Sequence, residues 1–193
     1  MSDAGASRTR LRSVHWRRLD TPGSEHFSLW QTESGWDLTG TVVVTLDDAP
    51  VRAEYAVRCG TDWTTEQVDV RTSSASVERS LRLRARGRRW WLNDNEVDAL
   101  SGSIDVDLGV TPSTNTLPIR RLALKVGDQA DLQVSWVRFP DLDVTLSDQR
   151  YTRLSENTYR YESGSFSRDI EVDELGLVTS YPGLFVCESA AGP

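Results

Sequence analysis

Asp105 and Asp107, set in Ile104-Asp105-Val106-Asp107-Leu108 and followed after a short break by Arg120 and Arg121, are the residues whose types and spacing promise chemistry. Neighbouring carboxylates can do general acid and base work, accept hydrogen bonds from sugar hydroxyls, or neutralise cations. Alternation of apolar and acidic residues puts both carboxylates on one face of an extended strand, with Ile104, Val106 and Leu108 on the other. An arginine on a covered element cannot shed its charge, and its planar guanidinium pairs best with a carboxylate. Asp105 and Asp107 are therefore the expected partners of Arg120 and Arg121. The four charges are expected to form structural ion pairs, with ligand binding as the alternative.

The elements around these residues can be read from periodicity. Gly109 and Thr111-Pro112 break the strand, and Ser113-Thr114-Asn115-Thr116 offers capping side chains for a helix from Leu117 to Leu124, with Pro118 in its first turn. Leu117, Ile119, Leu122, Ala123 and Leu124 surround that helix axis, the pattern of a helix covered on most sides. Elsewhere the period is two. Trp36, Leu38, Gly40, Val42, Val44 and Leu46 share one face, and Val51, Ala53, Tyr55, Val57 and Cys59 share the next, with a hairpin turn at Asp47-Asp48-Ala49-Pro50. Further strands are expected over 67–71, 77–85, 89–92, 132–139, 142–146, 158–162, 166–173 and 177–181. One helix among many short strands indicates a mainly β protein with a small α component, its long antiparallel sheet curling around a single central helix. Residues 1–13 read as a disordered lead, 14–188 as one domain and 189–193 as a tail.

Composition removes several function classes. A net charge of −7 argues against non-specific binding to nucleic acid or anionic membranes. No apolar run approaches the length of a membrane span, no integral membrane association is expected, and the expected location is the cytoplasm. His15 and His26 stand at no metal-ligand spacing, and Cys59 and Cys187 have no C-x-x-C partner, so neither a metal nor a redox site is expected. Phosphate-binding glycine loops and a serine elbow are absent from the sequence, and no cofactor is expected. Seven tryptophans and five tyrosines can fill a barrel core or line a pocket for a sugar or acyl chain. The alternating arginines Arg82, Arg84 and Arg86, with Arg88 and Arg89, read as a solvated strand face.

The stretch GSIDVDLGVTPSTNTLPIRRL, from Gly102 to Leu122, is similar to the signature of the "putative glycolipid-binding" family, formerly a domain of unknown function. The resemblance extends from Trp16-Arg17 and Glu25-His26 through Asp62-Trp63 to Val172-Asp173-Glu174-Leu175-Gly176 and Tyr181-Pro182-Gly183-Leu184-Phe185. It implies a spiral β-roll, a tight homodimer and an acidic pocket for a glycolipid or other amphiphile. On that resemblance, Glu25, Asp105 and Asp107 are the expected acceptors for sugar hydroxyls, with Asp62 and Asp173 also in the acidic pocket, and the chain is expected to bind without catalysis. The alternatives are a carboxylate-dependent enzyme acting on a carbohydrate or lipid, and a purely structural dimeric scaffold. Ser103 stands where relatives are expected to carry a cysteine.

Overall fold

The computed structural model describes residues 8–75 and 77–192. The strands are β1 (Arg8–Arg18), β2 (Gly23–Thr32), β3 (Gly35–Leu46), β4 (Ala49–Gly60), β5 (Thr65–Ser74), β6 (Val77–Arg86), β7 (Arg89–Leu92), β8 (Asn95–Glu96) and β9 (Asp105–Leu108). After the helix α1 (Thr116–Leu122) come β10 (Gln129–Val137), β11 (Val144–Arg153), β12 (Thr158–Ser163), β13 (Phe166–Val172), β14 (Val178–Tyr181) and β15 (Phe185–Ala191).

The fifteen strands among the described residues belong to one sheet, ordered β8 back to β1, then β15 back to β9. The first and last strands of the chain therefore pair at the centre of the sheet, and its two edges, β8 and β9, are neighbours in sequence. The pairings are antiparallel except the last, where β9 runs parallel to β10. The sheet is not closed. Edge strand β9 answers its free N–H groups with hydroxyls: Val106 donates to Thr65 Oγ1 at 3.3 Å and Leu108 to Thr114 Oγ1 at 3.2 Å. Such side-chain partners blunt an edge that would otherwise recruit another strand.

The alternation seen in the sequence is the alternation of burial. In β4, Val51, Ala53, Tyr55, Val57 and Cys59 are buried, and in β6, Leu81, Leu83 and Ala85. Arg82 and Arg84 face outward and meet Asp69 and Asp94, each at 2.7 Å. The β3–β4 hairpin turns on Asp47 and Asp48, both at positive φ, a pair of left-handed residues whose twist matches the flanking strands. Two apolar clusters form, a large one under β1–β6 and a smaller aromatic one under β11–β15. Helix α1 contributes Leu117 to the first and Ile119 to the second.

Three expectations change. Arg8–Ser13, read as part of a disordered lead, lie in β1, where Ser13 pairs with Ser28 on one side and Ala191 on the other. Ser189, Ala190 and Ala191, read as tail, are that partner segment in β15. Their backbone groups gain ladder partners on the sheet's central seam, which outweighs a sequence poor in apolar residues. The remainder of the expected lead, residues 1–7, and Pro193 lie outside the described residues. Finally, α1 ends at Leu122. Ala123 adopts a left-handed conformation with φ of 46°, and its N–H closes on Ile119 O. The helix is covered over its first turn, Thr116 to Ile119, and reaches the surface at Arg120.

Candidate functional site

The acids expected to form one pocket serve different purposes. Asp105 is fully buried and held by Arg121 through two parallel hydrogen bonds, Nε to Oδ1 at 3.0 Å and Nη2 to Oδ2 at 2.6 Å. Burial pushes the Asp105 carboxyl above its usual range, and the Arg121 contacts oppose that shift. Arg120, expected to share these acids, does not reach them. Successive helical residues point about 100° apart, so only one of the two arginines can face β9. Arg120 lies over the Trp63 ring, 5.4 Å from its centroid, and donates to Glu174 O at 3.4 Å. Trp63 in turn stacks on Trp36 with centroids 4.5 Å apart.

Asp107 shares the face of Asp105 but has no cationic partner among the described residues. Gln149 Nε2 donates to Oδ2 at 2.7 Å and Thr114 Oγ1 approaches Oδ1 at 3.4 Å. Withdrawal from water pushes its carboxyl above the usual range, and these two donors work against the shift. Asp107 lines a cavity of about 300 Å³ whose walls are Trp136, Tyr161, Phe166, Tyr181, Leu184 and Phe185, with Thr111, Asn115, Ser147 and Ser163 as polar neighbours. Trp136 stands directly beside Asp107 in the parallel β9–β10 register. Its ring passes over Gly109, where an added Cβ would meet the indole nitrogen at 3.0 Å. Arg138, Arg168 and Arg18 stack on Trp136, Phe166 and Phe185, yet among the described residues the lining itself holds no cation. A larger cavity of about 630 Å³ also touches Gln149 and Ser163. It carries no aromatic side chain, and its Arg150 and Arg121 are bound to Asp131 and Asp105.

Glu25 points inward from β2 and is 2% exposed. The Tyr55 hydroxyl donates to its Oε1, and Thr111 Oγ1 donates to the same atom at 2.9 Å. Desolvation raises this carboxyl to about 7 against those two donors. Thr111 belongs to the cavity wall, so Glu25 stands one hydrogen bond behind it.

Asp62 and Asp173 lie away from this cavity and hold turns. Asp62 accepts the Thr64 N–H at 3.1 Å and hydroxyl at 2.6 Å, contacts that keep its exposed carboxyl below the usual range. Asp173 accepts the N–H groups of Leu175 and Leu177, each at 2.9 Å. Burial raises its carboxyl, and these backbone donors act in the other direction. Ser103 is fully buried, its hydroxyl 2.9 Å from Leu100 O and 2.8 Å from Ser135 Oγ. No base stands in that set of partners, and the group holds a turn.

The residues 113–115, expected to cap the helix, form a short 3₁₀ turn, and the helix start has no side-chain cap bond. Their side chains point elsewhere. The Tyr55 hydroxyl lies 2.7 Å from Ser113 Oγ, Thr114 meets Asp107, and Asn115 accepts the Tyr151 hydroxyl at 2.8 Å. Tyr55, Gln149 and the five aromatic walls were not marked by sequence spacing. One signal was present: Gly40, an isolated glycine inside the β3 alternation, marks a close approach. A Cβ there would lie 2.4 Å from the Tyr55 ring, which crosses β3 at that point to reach Glu25.

A family model described as "Putative glycolipid-binding" matches residues 13–187. A solved structure of a DUF1089 family protein from Pseudomonas aeruginosa is 32% identical and superposes with a TM-score of 0.79, over 85% of this chain and 91% of that one. No curated protein matches the chain.

Proposed function

The chain belongs to the "putative glycolipid-binding" family, and on that premise we propose that it binds a glycolipid or related amphiphile without catalysis, with the head group in the cavity beside Asp107. The observation that carries this reading is the meeting of one carboxylate with an aromatic wall. Of the five acids expected to bind ligand, Asp107 alone lines a cavity with Trp136, Tyr161, Phe166, Tyr181 and Phe185. Aromatic faces receive the apolar faces of sugar rings or an alkyl chain, and a few placed polar groups fix orientation.

The hydrogen-bond inventory supports a hydroxyl-bearing head group. A carboxylate has about four acceptor sites. Gln149 and Thr114 occupy one on each oxygen of Asp107, which leaves a place on each for a ligand hydroxyl. Among the described residues the lining includes no Lys or Arg, which disfavours an anionic head group there. Asp105 is a poor partner for a two-carboxylate hydrolysis, because Arg121 occupies both of its oxygens.

Titration with octyl β-D-glucoside, followed by Trp136 fluorescence and by native mass spectrometry, tests the reading. A hydrogen bond to a charged acceptor contributes about 1.5–3 kcal/mol, so Asp107→Ala is expected to weaken binding by about 10- to 100-fold. Equal affinity of a correctly folded Asp107→Ala protein would remove Asp107 from the site.

A further inference from the structure

Glu25 is a carboxyl in the middle of an apolar face. Trp16 stands directly opposite it in β1 and Val42 in β3. Its Oε1 takes both donors, while Oε2 is buried with no partner among the described residues. The 109–115 loop has an anchor at each end: Thr111 on Glu25, and Thr114 on Asp107. Thr111 and Asn115 of that loop line the cavity.

We infer that Glu25 is a positioning residue for the cavity: its protonated carboxyl is the form that the closed 109–115 loop can cover, and ionisation, although it strengthens the Thr111 and Tyr55 hydrogen bonds, calls for water and loosens the loop. This rests on the reading of that cavity as the binding site. A neutral carboxyl tolerates a dry setting, whereas a carboxylate there has one unserved oxygen and no cation. The charged form is solvated only when the loop lifts, with the proton passing to bulk water. Among the described residues the groups set against Glu25 carry no competing charge: β1 presents Trp16, β3 Val42, the loop Thr111, and β4 Tyr55, a phenol that burial keeps protonated and whose hydroxyl also reaches Ser113. Asp107 is the other titrating group tied to the loop.

The sign follows from the two end states. With the loop closed the carboxyl is raised to about 7, and admitting water to it by opening the loop lowers that value toward the 4.5 of a solvated carboxyl. The closed state binds the proton more tightly, so closure weakens as pH rises between those values and is level above them.

Hydrogen exchange of the Thr111, Ser113 and Asn115 amides, measured in the ligand-free full chain from pH 5 to 8 and normalised to unfolded-chain rates, is the test. Protection is expected to fall by up to about tenfold per pH unit, the limit for one proton, and to level near pH 7. Glu25→Gln is expected to flatten the profile. Tyr55→Phe removes a donor that favours the carboxylate and is expected to move the level region to higher pH. A flat wild-type profile, a Glu25→Gln profile that keeps the wild-type slope, or an unmoved Tyr55→Phe profile overturns the inference. Failure of octyl β-D-glucoside to bind would overturn the ligand reading alone, since the exchange measurement contains no ligand.

Discussion

Arg121 meets Asp105 fork to fork, at 3.0 and 2.6 Å, and so ties the last turn of α1 to the edge strand β9. The carboxylate has no exposed surface, so it cannot fall back on water if Arg121 is lost, whereas the guanidinium keeps some access to the larger cavity.

Removing one partner of such a pair strands a buried charge, at a cost of about 3–5 kcal/mol. Arg121→Ala is expected to lower unfolding stability by that amount in urea titrations, and Asp105→Ala by less, because the guanidinium it leaves can reach the larger cavity. The double variant Asp105→Leu with Arg121→Met is expected to lose much less than the sum, because replacing both ions by apolar groups removes the stranded charge. Arg120→Ala is expected to cost only about 0.5–1 kcal/mol, the range of an exposed cation–π contact. Additive single and double losses would exclude the direct coupling.

The strand alternation of β3, β4 and β6 was legible because one face of each is apolar and the other polar. In β1 the inward Val14 and Trp16 are set among arginines, and in β2 an inward position holds Glu25, so hydropathy alone hides both strands. The helix was legible as an element, yet its arginines were not separable without knowing which one faced β9. The polar run 113–115 has the composition of a cap, and its partners Tyr55, Asp107 and Tyr151 come from elements that only the folded sheet brings near. A single sequence carries local periodicity, whereas the site depends on distant pairing.

Gly40 sits beneath the Tyr55 ring, where a Cβ would overlap its atoms at 2.4 Å. Because this ring is buried and its hydroxyl is bound to Glu25, it has no free space into which to retreat. Gly40→Ala is expected to destabilise by about 1–3 kcal/mol, the range for overpacking a filled core. In a Tyr55→Phe background the same glycine substitution is expected to cost almost as much, since Cε1 and Cζ of the ring remain in its way. Stability equal to wild type by thermal unfolding would contradict the observed path of Tyr55.

Ser103 and Ser135 form a hydroxyl pair with no exposed surface in either residue. Ser103→Ala leaves Ser135 Oγ unserved in a dry place, which costs about 1–3 kcal/mol. Ser135→Ala is expected to cost less, because Ser103 keeps Leu100 O as an acceptor at 2.9 Å. Urea midpoints of the two variants check the order, and the reverse order would remove Ser103 as the centre of the pair.

Glu25 also sets a slope in the pH dependence of global stability. Its carboxyl binds a proton near 7 when folded and near 4.5 when exposed. A folded value above the unfolded one means that the native state holds the proton over that interval. The contribution of Glu25 to stability is therefore fully present below about pH 4.5 and is lost as pH rises to about 7. At 1.36 kcal/mol per unit the full decline from this residue is roughly 3 kcal/mol. Asp105 and Asp107, also raised by burial, act with the same sign. Glu25→Gln removes one of these contributions and is expected to be less pH-dependent than wild type, with a stability difference that moves in its favour by roughly 3 kcal/mol from pH 4.5 to 8. Urea unfolding of both proteins across that range measures the difference directly. A difference that is constant with pH would mean that Glu25 is ionised in the folded protein throughout.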